Sequence, residues 1–288
     1  MYDVVIIGAG PAGISAAVYV QRAGFRACVL AKDVGALGKA HEIENYYGLE
    51  EPVSGAELAR RGVAQAKRLG VQLVTTEAVG IGFEETLTVY TKDGNYAAAS
   101  VIIATGAARG APKLPGLKEL EGHGVSFCAM CDAFFYRGRD VAVLGEGEFA
   151  AHEAEALLAT SASVTILTDS KAPTAEFPAG ALVDTRKITR ILGSDRVSGV
   201  EFADGEKLDA AGLFVAVGVA GSADLAKKIG APVENNRIVT DSAASTGIPG
   251  LFAAGDCTGG LLQVAKAVYE GALAGTEAVK YLRSIKRS

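Results

Sequence analysis

Tyr2 to Gly24 reads YDVVIIGAGPAGISAAVYVQRAG. Val4 to Ile7 form a β-branched apolar run. The turn Gly8-Ala9-Gly10-Pro11-Ala12-Gly13 follows it, and beyond the turn apolar residues recur at helical spacing. Strand, glycine turn and helix in that order give the context that a dinucleotide fingerprint requires. Gly8 allows the tight turn, Gly10 lets the backbone approach a pyrophosphate, and Gly13 permits close packing of helix on strand. Pro11 and Ala12 complete a turn whose helix N-terminus offers unpaired N–H groups to the phosphates. The carboxylate such a site uses for a ribose hydroxyl belongs at the end of the second strand, within ACVLAKD (27–33). Ala31 and Lys32 stand there and Asp33 comes slightly late, so Asp33 is either that partner or an ordinary surface residue.

The plan repeats downstream. DVAVLGEGEFAAHEAEALLATSASVTILTDS (140–170) is again strand, glycine turn, helix and strand. GLFVAVGVA (212–220) closes this unit as ASVIIATGA (99–107) closes the first. Strands alternating with helices imply parallel sheets joined by crossover helices. The expected fold is α/β, with two Rossmann-like nucleotide-fold domains. The tail GLFAAGDCTGGLLQVAKAVYEGALAGTEAVKYL (250–282) is a strand, a turn and a long amphipathic helix. It has no place in a second unit that has already closed, so it returns to the first. Domain one then comprises 1–108 and 237–288, and the second domain, 109–236, is inserted into it.

Composition agrees with two domains. The 288 residues are 49% hydrophobic, more core material than one compact domain uses. The net charge is −5 with no basic tail or stripe, which argues against a nucleic-acid partner. The first strand begins almost at Met1 and leaves no room for a signal peptide. The longest uncharged run, between Asp209 and Asp224, is too short and too rich in Gly and Ala for a membrane span. A cytoplasmic protein is expected. Its four cysteines do not make a disulfide scaffold in a chain of this length.

The second turn, Gly145 to Ala150, keeps the glycine spacing but suits a nucleotide poorly. Glu146 and Glu148 put carboxylates where a pyrophosphate would sit, and Phe149 is bulky where small residues are usual. NADPH also calls for arginines after the next strand, to hold the 2′-phosphate. That position reads TDSK (168–171). Asp169 stands about twenty residues after the turn, where an NADH-type ribose carboxylate belongs. The residues argue against NADPH, leave NADH open, and allow a fold that has lost the nucleotide.

Cys128-Ala-Met-Cys131 lies just upstream of this turn. Half a zinc site is one reading, but His123 is the nearest further ligand and no fourth is evident, so no metal is expected. The other reading is a reversible dithiol/disulfide, since two intervening residues let the sulfurs meet. Asp132 follows at once. It has the chemistry of a proton donor and acceptor for thiol exchange, and also that of a helix cap. Cys28 reads as inert core, and Cys257 has structural neighbours.

GAGPAG, ENYYG, IIATGA, CAMCDAFFYRG and LFAAGDCTG with its later Gln occur in this order across nearly the whole chain. Together they resemble the low-molecular-weight thioredoxin reductases. That resemblance implies FAD on the first domain. FAD would be held by Gly8, Gly10, Pro11, Ala12 and Gly13 at the pyrophosphate, by Asn45 near the flavin, and by Val79 and Ala104-Thr105-Gly106. Gly255 and Asp256 would take the ribityl–phosphate part, and Gln263 and Val264 the ring. Asp256 suits that place chemically, because a carboxylate accepts hydrogen bonds from ribityl hydroxyls. By the same resemblance Cys131 takes electrons from the flavin, Cys128 attacks a thioredoxin-like partner, Asp132 is the acid/base, and the protein is a homodimer.

Departures from the family pattern are informative. GEGEFA stands for GGGDSA, TDS for an HRR cluster, Leu262 for the Arg before the ring-binding Gln, and ALGKAHEIENYYG for a GGQ stretch. The chain is most similar to the branch of ferredoxin-dependent flavin thioredoxin reductases and related flavin disulfide oxidoreductases, which keeps flavin and dithiol without NADPH. Reduced ferredoxin is therefore the favoured donor. Because ferredoxins are usually acidic, a local basic patch is needed, and Arg60, Arg61, Lys67, Arg68 or the tail from Lys280 to Arg287 either supply it or form an ordinary solvated helix face. The rivals are an NADH-dependent reductase resting on Asp169 and a non-catalytic flavin redox-sensing module. A pair that serves both a buried flavin and an outside protein calls for a hinge between the domains, near Ala108 and Asn236.

Overall fold

A computed structural model of the chain describes residues 1–107, 112–218 and 220–286, with Met130 and Cys131 described by their backbone alone. The chain forms two compact units, Met1–Ala108 with Gly221–Ser288, and Arg109–Ala220.

The first unit starts with β1 (Tyr2–Ile7), α1 (Pro11–Arg22) and β2 (Ala27–Ala31). It continues through α2 (Gly55–Arg68), β3 (Gln72–Thr75), β4 (Ala78–Phe83), β5 (Leu87–Thr91) and β6 (Gly94–Ile103). Its sheet has the order β3-β2-β1-β6-β5-β4, parallel from β3 to β6 and antiparallel beyond. Val4 to Ile7 are all buried, as expected of a central parallel strand covered on both faces.

The second unit runs β7 (Val125–Ser126), α3 (Ala129–Asp132), β8 (Asp140–Leu144), α4 (Glu148–Leu158), β9 (Ser163–Leu167) and β10 (Leu182–Asp184). The antiparallel meander β11 (Ile188–Gly193), β12 (Val197–Phe202) and β13 (Lys207–Asp209) follows, and β14 (Gly212–Val215) closes the unit. The parallel sheet has the order β10-β9-β8-β14-β7. Leu144, Leu167, Phe202 and Leu213 lie in one apolar core with the meander residues Ile191 and Val200.

The chain then rejoins the first unit with α5 (Ser222–Lys228). Here structure and sequence reading differ. The reading placed the return near Asn236, whereas residues from Gly221 belong with the first unit. The physical reason is that α5 packs against β4, where buried Lys228 donates its Nζ–H to Val79 O at 2.7 Å. Asn235 and Asn236 instead form the left-handed two-residue turn of a hairpin, β15 (Val233–Glu234) and β16 (Arg237–Ile238). The other expected connection, at Ala108, lies outside the described residues.

β17 (Leu251–Ala253) pairs with the C-terminal half of β6, and α6 (Val264–Ile285) completes the unit. α6 packs on α1 through small residues. A Cβ on Gly275 would stand 2.6 Å from Ala16 O, and one on Gly271 would run into Ala12 O. Among the described residues no helix is long and apolar enough to cross a membrane.

Candidate active site

The first glycine turn is built tightly and left open at one point. Gly8 has φ +114°, and a Cβ there would run into Ala104 O. A Cβ on Gly13 would collide with the Gly8 carbonyl. A Cβ on Gly10 would meet nothing within 4 Å. Pro11 is the first residue of α1, where its missing N–H costs nothing.

Two other segments converge on this turn. Thr105 follows β6 directly beside Gly8, and its buried Oγ1 has no hydrogen-bond partner. Gly255, at φ +88°, lies against α1, so that a Cβ on it would be 2.9 Å from Ala12 Cβ. Open space at Gly10, an unpaired buried hydroxyl at Thr105 and the carboxylate of Asp256 form a donor and acceptor set that fits a ribityl diphosphate. Asn45 and Gln263 also meet, with Asn45 Nδ2 donating to Gln263 Oε1 at 2.9 Å. Val79 sits apart on β4, its carbonyl already accepting from Lys228.

Sequence reasoning missed what holds the Gly255–Gly259 turn. Lys266 Nζ donates to Gly255 O (2.8 Å), to Thr258 Oγ1 (3.0 Å) and to Gly259 O, and pairs with Glu270 at 2.9 Å. Glu270 accepts in turn from Gly255 N–H and Thr258 Oγ1–H. The signal was a Lys and Glu four residues apart on one helix face. Cys257 is buried in the same turn, and burial pushes its thiol up to about 12. Burial likewise raises Cys28 to about 11. Both cysteines are free thiols.

The second glycine turn is occupied by the protein itself. Glu146 Oε1 pairs with Lys171 Nζ at 2.9 Å. Thr174 donates its N–H and its Oγ1–H to Glu146 O, at 2.7 and 3.1 Å. A Cβ on Gly147 would be 3.1 Å from Thr174 Oγ1, so the segment after β9 folds over the turn. Asp169 and Ser170 form a left-handed turn, with Lys171 N–H donating to Thr168 O. The Asp169 carboxylate is engaged at both oxygens, by Lys187 Nζ and by Ile188 N–H, each at 2.9 Å. Phe149 is core, 2% exposed. A cavity of about 270 Å³ remains beside Glu146, Asp169 and Lys171.

Cys128 is 4% exposed and disulfide-bonded. The side chain of Cys131 lies outside the described residues. Cys128 N–H donates to Ser126 Oγ at 3.1 Å, and Ser126 Oγ–H donates to Asp132 Oδ2 at 2.7 Å. Asp132 ends α3 and starts a 3₁₀ turn without capping it by its side chain. Its carboxylate is instead tied to the loop that carries Cys128. Glu153 of α4, 1% exposed, accepts the N–H of Ala129, the first residue of α3. An acid on the buried stripe of α4, beside Ala150, Ala154 and Leu157, was the available signal for it.

Of the proposed basic patch, Arg60 and Arg61 both bond Glu57, while Lys67 and Arg68 are exposed in the last turn of α2. Lys280 pairs with Glu277 and Lys286 with Asp3. Arg287 lies outside the described residues.

Comparison with known proteins gives the family. The family described as pyridine nucleotide-disulphide oxidoreductase matches residues 2–271. The chain is 36% identical to a thioredoxin reductase of Aquifex aeolicus over 89% of this chain and 85% of that one. Among solved structures it is similar to the atypical thioredoxin reductase TRi of Desulfovibrio vulgaris Hildenborough, with TM-score 0.94 and 42% identity over 99% of each chain. It is also similar to a ferredoxin-flavin thioredoxin reductase of Clostridium acetobutylicum, with TM-score 0.73 and 30% identity over 98% of each.

Proposed function

Because the chain belongs to the pyridine nucleotide-disulphide oxidoreductase family and is an FAD flavoprotein disulfide oxidoreductase of the thioredoxin reductase type, we propose that it reduces a thioredoxin-like protein through Cys128 and Cys131 with electrons from reduced ferredoxin and not from NADPH. One observation carries the donor half of this reading: Thr174 and the Glu146–Lys171 pair stand where a nicotinamide dinucleotide would lay its phosphates. Similarity to a ferredoxin-flavin thioredoxin reductase supports the same reading. Asp169 favours no NADH alternative, since both of its oxygens are engaged by Lys187 and Ile188 at the start of β11.

We read residues 1–108 and 221–288 as the FAD domain and 109–220 as the redox-dithiol domain. Gly8, Gly10 and Gly13 would hold the pyrophosphate, with Thr105, Asp256, Asn45 and Gln263 toward the flavin end. When bound, FAD supplies the electron pair that opens the Cys128–Cys131 disulfide. The Cys128 thiolate then attacks one sulfur of the partner disulfide, forming a mixed disulfide and releasing one partner thiolate. The Cys131 thiolate attacks the Cys128 sulfur of the mixed disulfide and displaces the second partner thiolate, re-forming the internal disulfide. Each released thiolate takes up a proton. Asp132, tied to Ser126 Oγ beside the pair, is the carboxyl placed to relay such a proton from water. Exchange with an outside protein also requires the 4%-exposed Cys128 sulfur to become accessible.

The test is reconstitution. Reduced ferredoxin, this protein and an oxidised thioredoxin are combined without oxygen, and thiols are counted. Two thiols per thioredoxin, formed catalytically and abolished by Cys128→Ser, are expected. Reduction of thioredoxin by NADPH in place of ferredoxin would overturn the donor assignment. A homodimer belongs to the same reading, and a solution mass of about twice 29.4 kDa is expected for it.

A further inference from the structure

The first glycine turn lacks one part of a dinucleotide site at its usual place, because the end of β2 carries Ala31 and Lys32 and no acid. Asp33 does not supply the missing carboxylate. It is exposed, and it accepts the N–H of Gly35 at 2.7 Å, closing a turn of its own.

Glu77 stands at that place by another route. β3 lies beside β2 with Thr75 opposite Ala31, and Thr76 N–H donates to Ala31 O at 3.2 Å. Glu77 comes next in the chain and is 6% exposed. Its Oε2 pairs with Lys32 Nζ at 2.7 Å. Its Oε1 is buried and has no hydrogen-bond partner. A buried carboxylate oxygen left unpaired is costly, so such an atom points to a donor that arrives from elsewhere.

We infer that Glu77 replaces the ribose carboxylate of the ordinary dinucleotide site, with its Oε1 accepting a hydrogen bond from a hydroxyl of the adenosine ribose of FAD. The inference rests on the assignment of FAD to the first glycine turn. Lys32 has two effects here. It fixes the carboxylate from one side through Oε2 and leaves Oε1 for a hydroxyl. Its own charge is spent on Glu77, so the end of β2 presents an acceptor and not a cation, which suits an unphosphorylated ribose.

Affinity measured for two ligands and two proteins tests this. The full chain is stripped of flavin and titrated with FAD, and with an FAD analogue whose adenosine ribose lacks both hydroxyls, by flavin fluorescence. The wild-type chain is expected to bind the analogue about 10- to 100-fold more weakly than FAD, the range for a hydrogen bond to a charged group. Glu77→Gln is expected to bind FAD more weakly by a similar factor and to lose most of the discrimination between the two ligands. Equal affinity of the wild-type chain for both ligands overturns the inference, without reliance on any variant. Full discrimination by Glu77→Gln overturns it as well. Failure of the wild-type chain to bind FAD, or unchanged FAD affinity in Gly10→Asp, would instead remove the cofactor assignment beneath it.

Discussion

The two glycine turns of this protein begin alike and end differently. Each follows a buried parallel strand and opens a helix, and each packs its first glycine against a neighbouring strand end, Ala104 for Gly8 and Ala216 for Gly145. At the middle glycine they part. Gly10 faces open space, while Gly147 faces Thr174 Oγ1, with the Glu146–Lys171 ion pair alongside. The lesson is that the same strand–turn–helix joint packs alike in both units while the space beside its middle glycine differs. In the second unit the joint serves as a mount for other chemistry. α4 leaves that turn and brings Glu153 to the backbone of the Cys128 loop.

The largest effect should come from that mounted chemistry. Asp132→Asn should slow thiol–disulfide turnover by about 10²- to 10⁴-fold, the usual worth of a positioned acid/base, with FAD content unchanged. Thiol release under single turnover measures it. A rate within twofold of wild type would remove Asp132 from the mechanism.

Gly10→Asp probes the open turn. A carboxylate placed toward the pyrophosphate should weaken FAD binding by about 100-fold, by loss of charge-assisted N–H contacts. The purified protein should then be pale. If it stays yellow, the flavin phosphates lie elsewhere.

A third prediction concerns Cys257, whose turn closes the open site. The folded thiol is raised to about 12 from an ordinary 9.0. Between those values the unfolded chain binds fewer protons than the folded one, so stability falls as pH rises, by at most about 1.4 kcal/mol per pH unit from this group. Urea unfolding between pH 9 and 11 should show that slope on top of the one Cys28 contributes over the same range, and Cys257→Ala should remove the Cys257 share.

The smallest effect belongs to the filled turn. Gly147→Ala meets the Thr174 hydroxyl at 3.1 Å, whose side chain can yield, and the Gly218 carbonyl at an ordinary 3.6 Å. It should cost under about 1 kcal/mol in unfolding and leave turnover unchanged. A large loss of turnover would mean that Gly147 approaches a ligand after all.

Local pattern made much of this legible in the sequence. The β-branched run, the glycine spacing and the Cys-x-x-Cys pair each span a few residues, and their physics is complete within that span. Glu146 and Glu148 already argued against a pyrophosphate at the second turn. What stayed hidden depends on residues far apart in the chain. Thr174 covers Gly147 from the loop after β9, Glu153 of α4 reaches the N–H of Ala129, and Glu77 meets Lys32 across two strands. No periodicity reports such meetings, because each is set by how the strands lie in the sheet. The return of the chain at Gly221 was missed for a similar reason, since α5 is short and Lys228 on it bonds Val79 O, 149 residues away in the chain.

The most direct test of the central claim uses the flavin itself. The FAD-loaded protein is mixed without oxygen with NADPH, then NADH, then a reduced ferredoxin, and flavin absorbance is followed. The account predicts no bleaching by either nicotinamide and rapid bleaching by ferredoxin. Rapid bleaching by NADPH would contradict it, and would show that Thr174 and the Glu146–Lys171 pair move aside for a nucleotide.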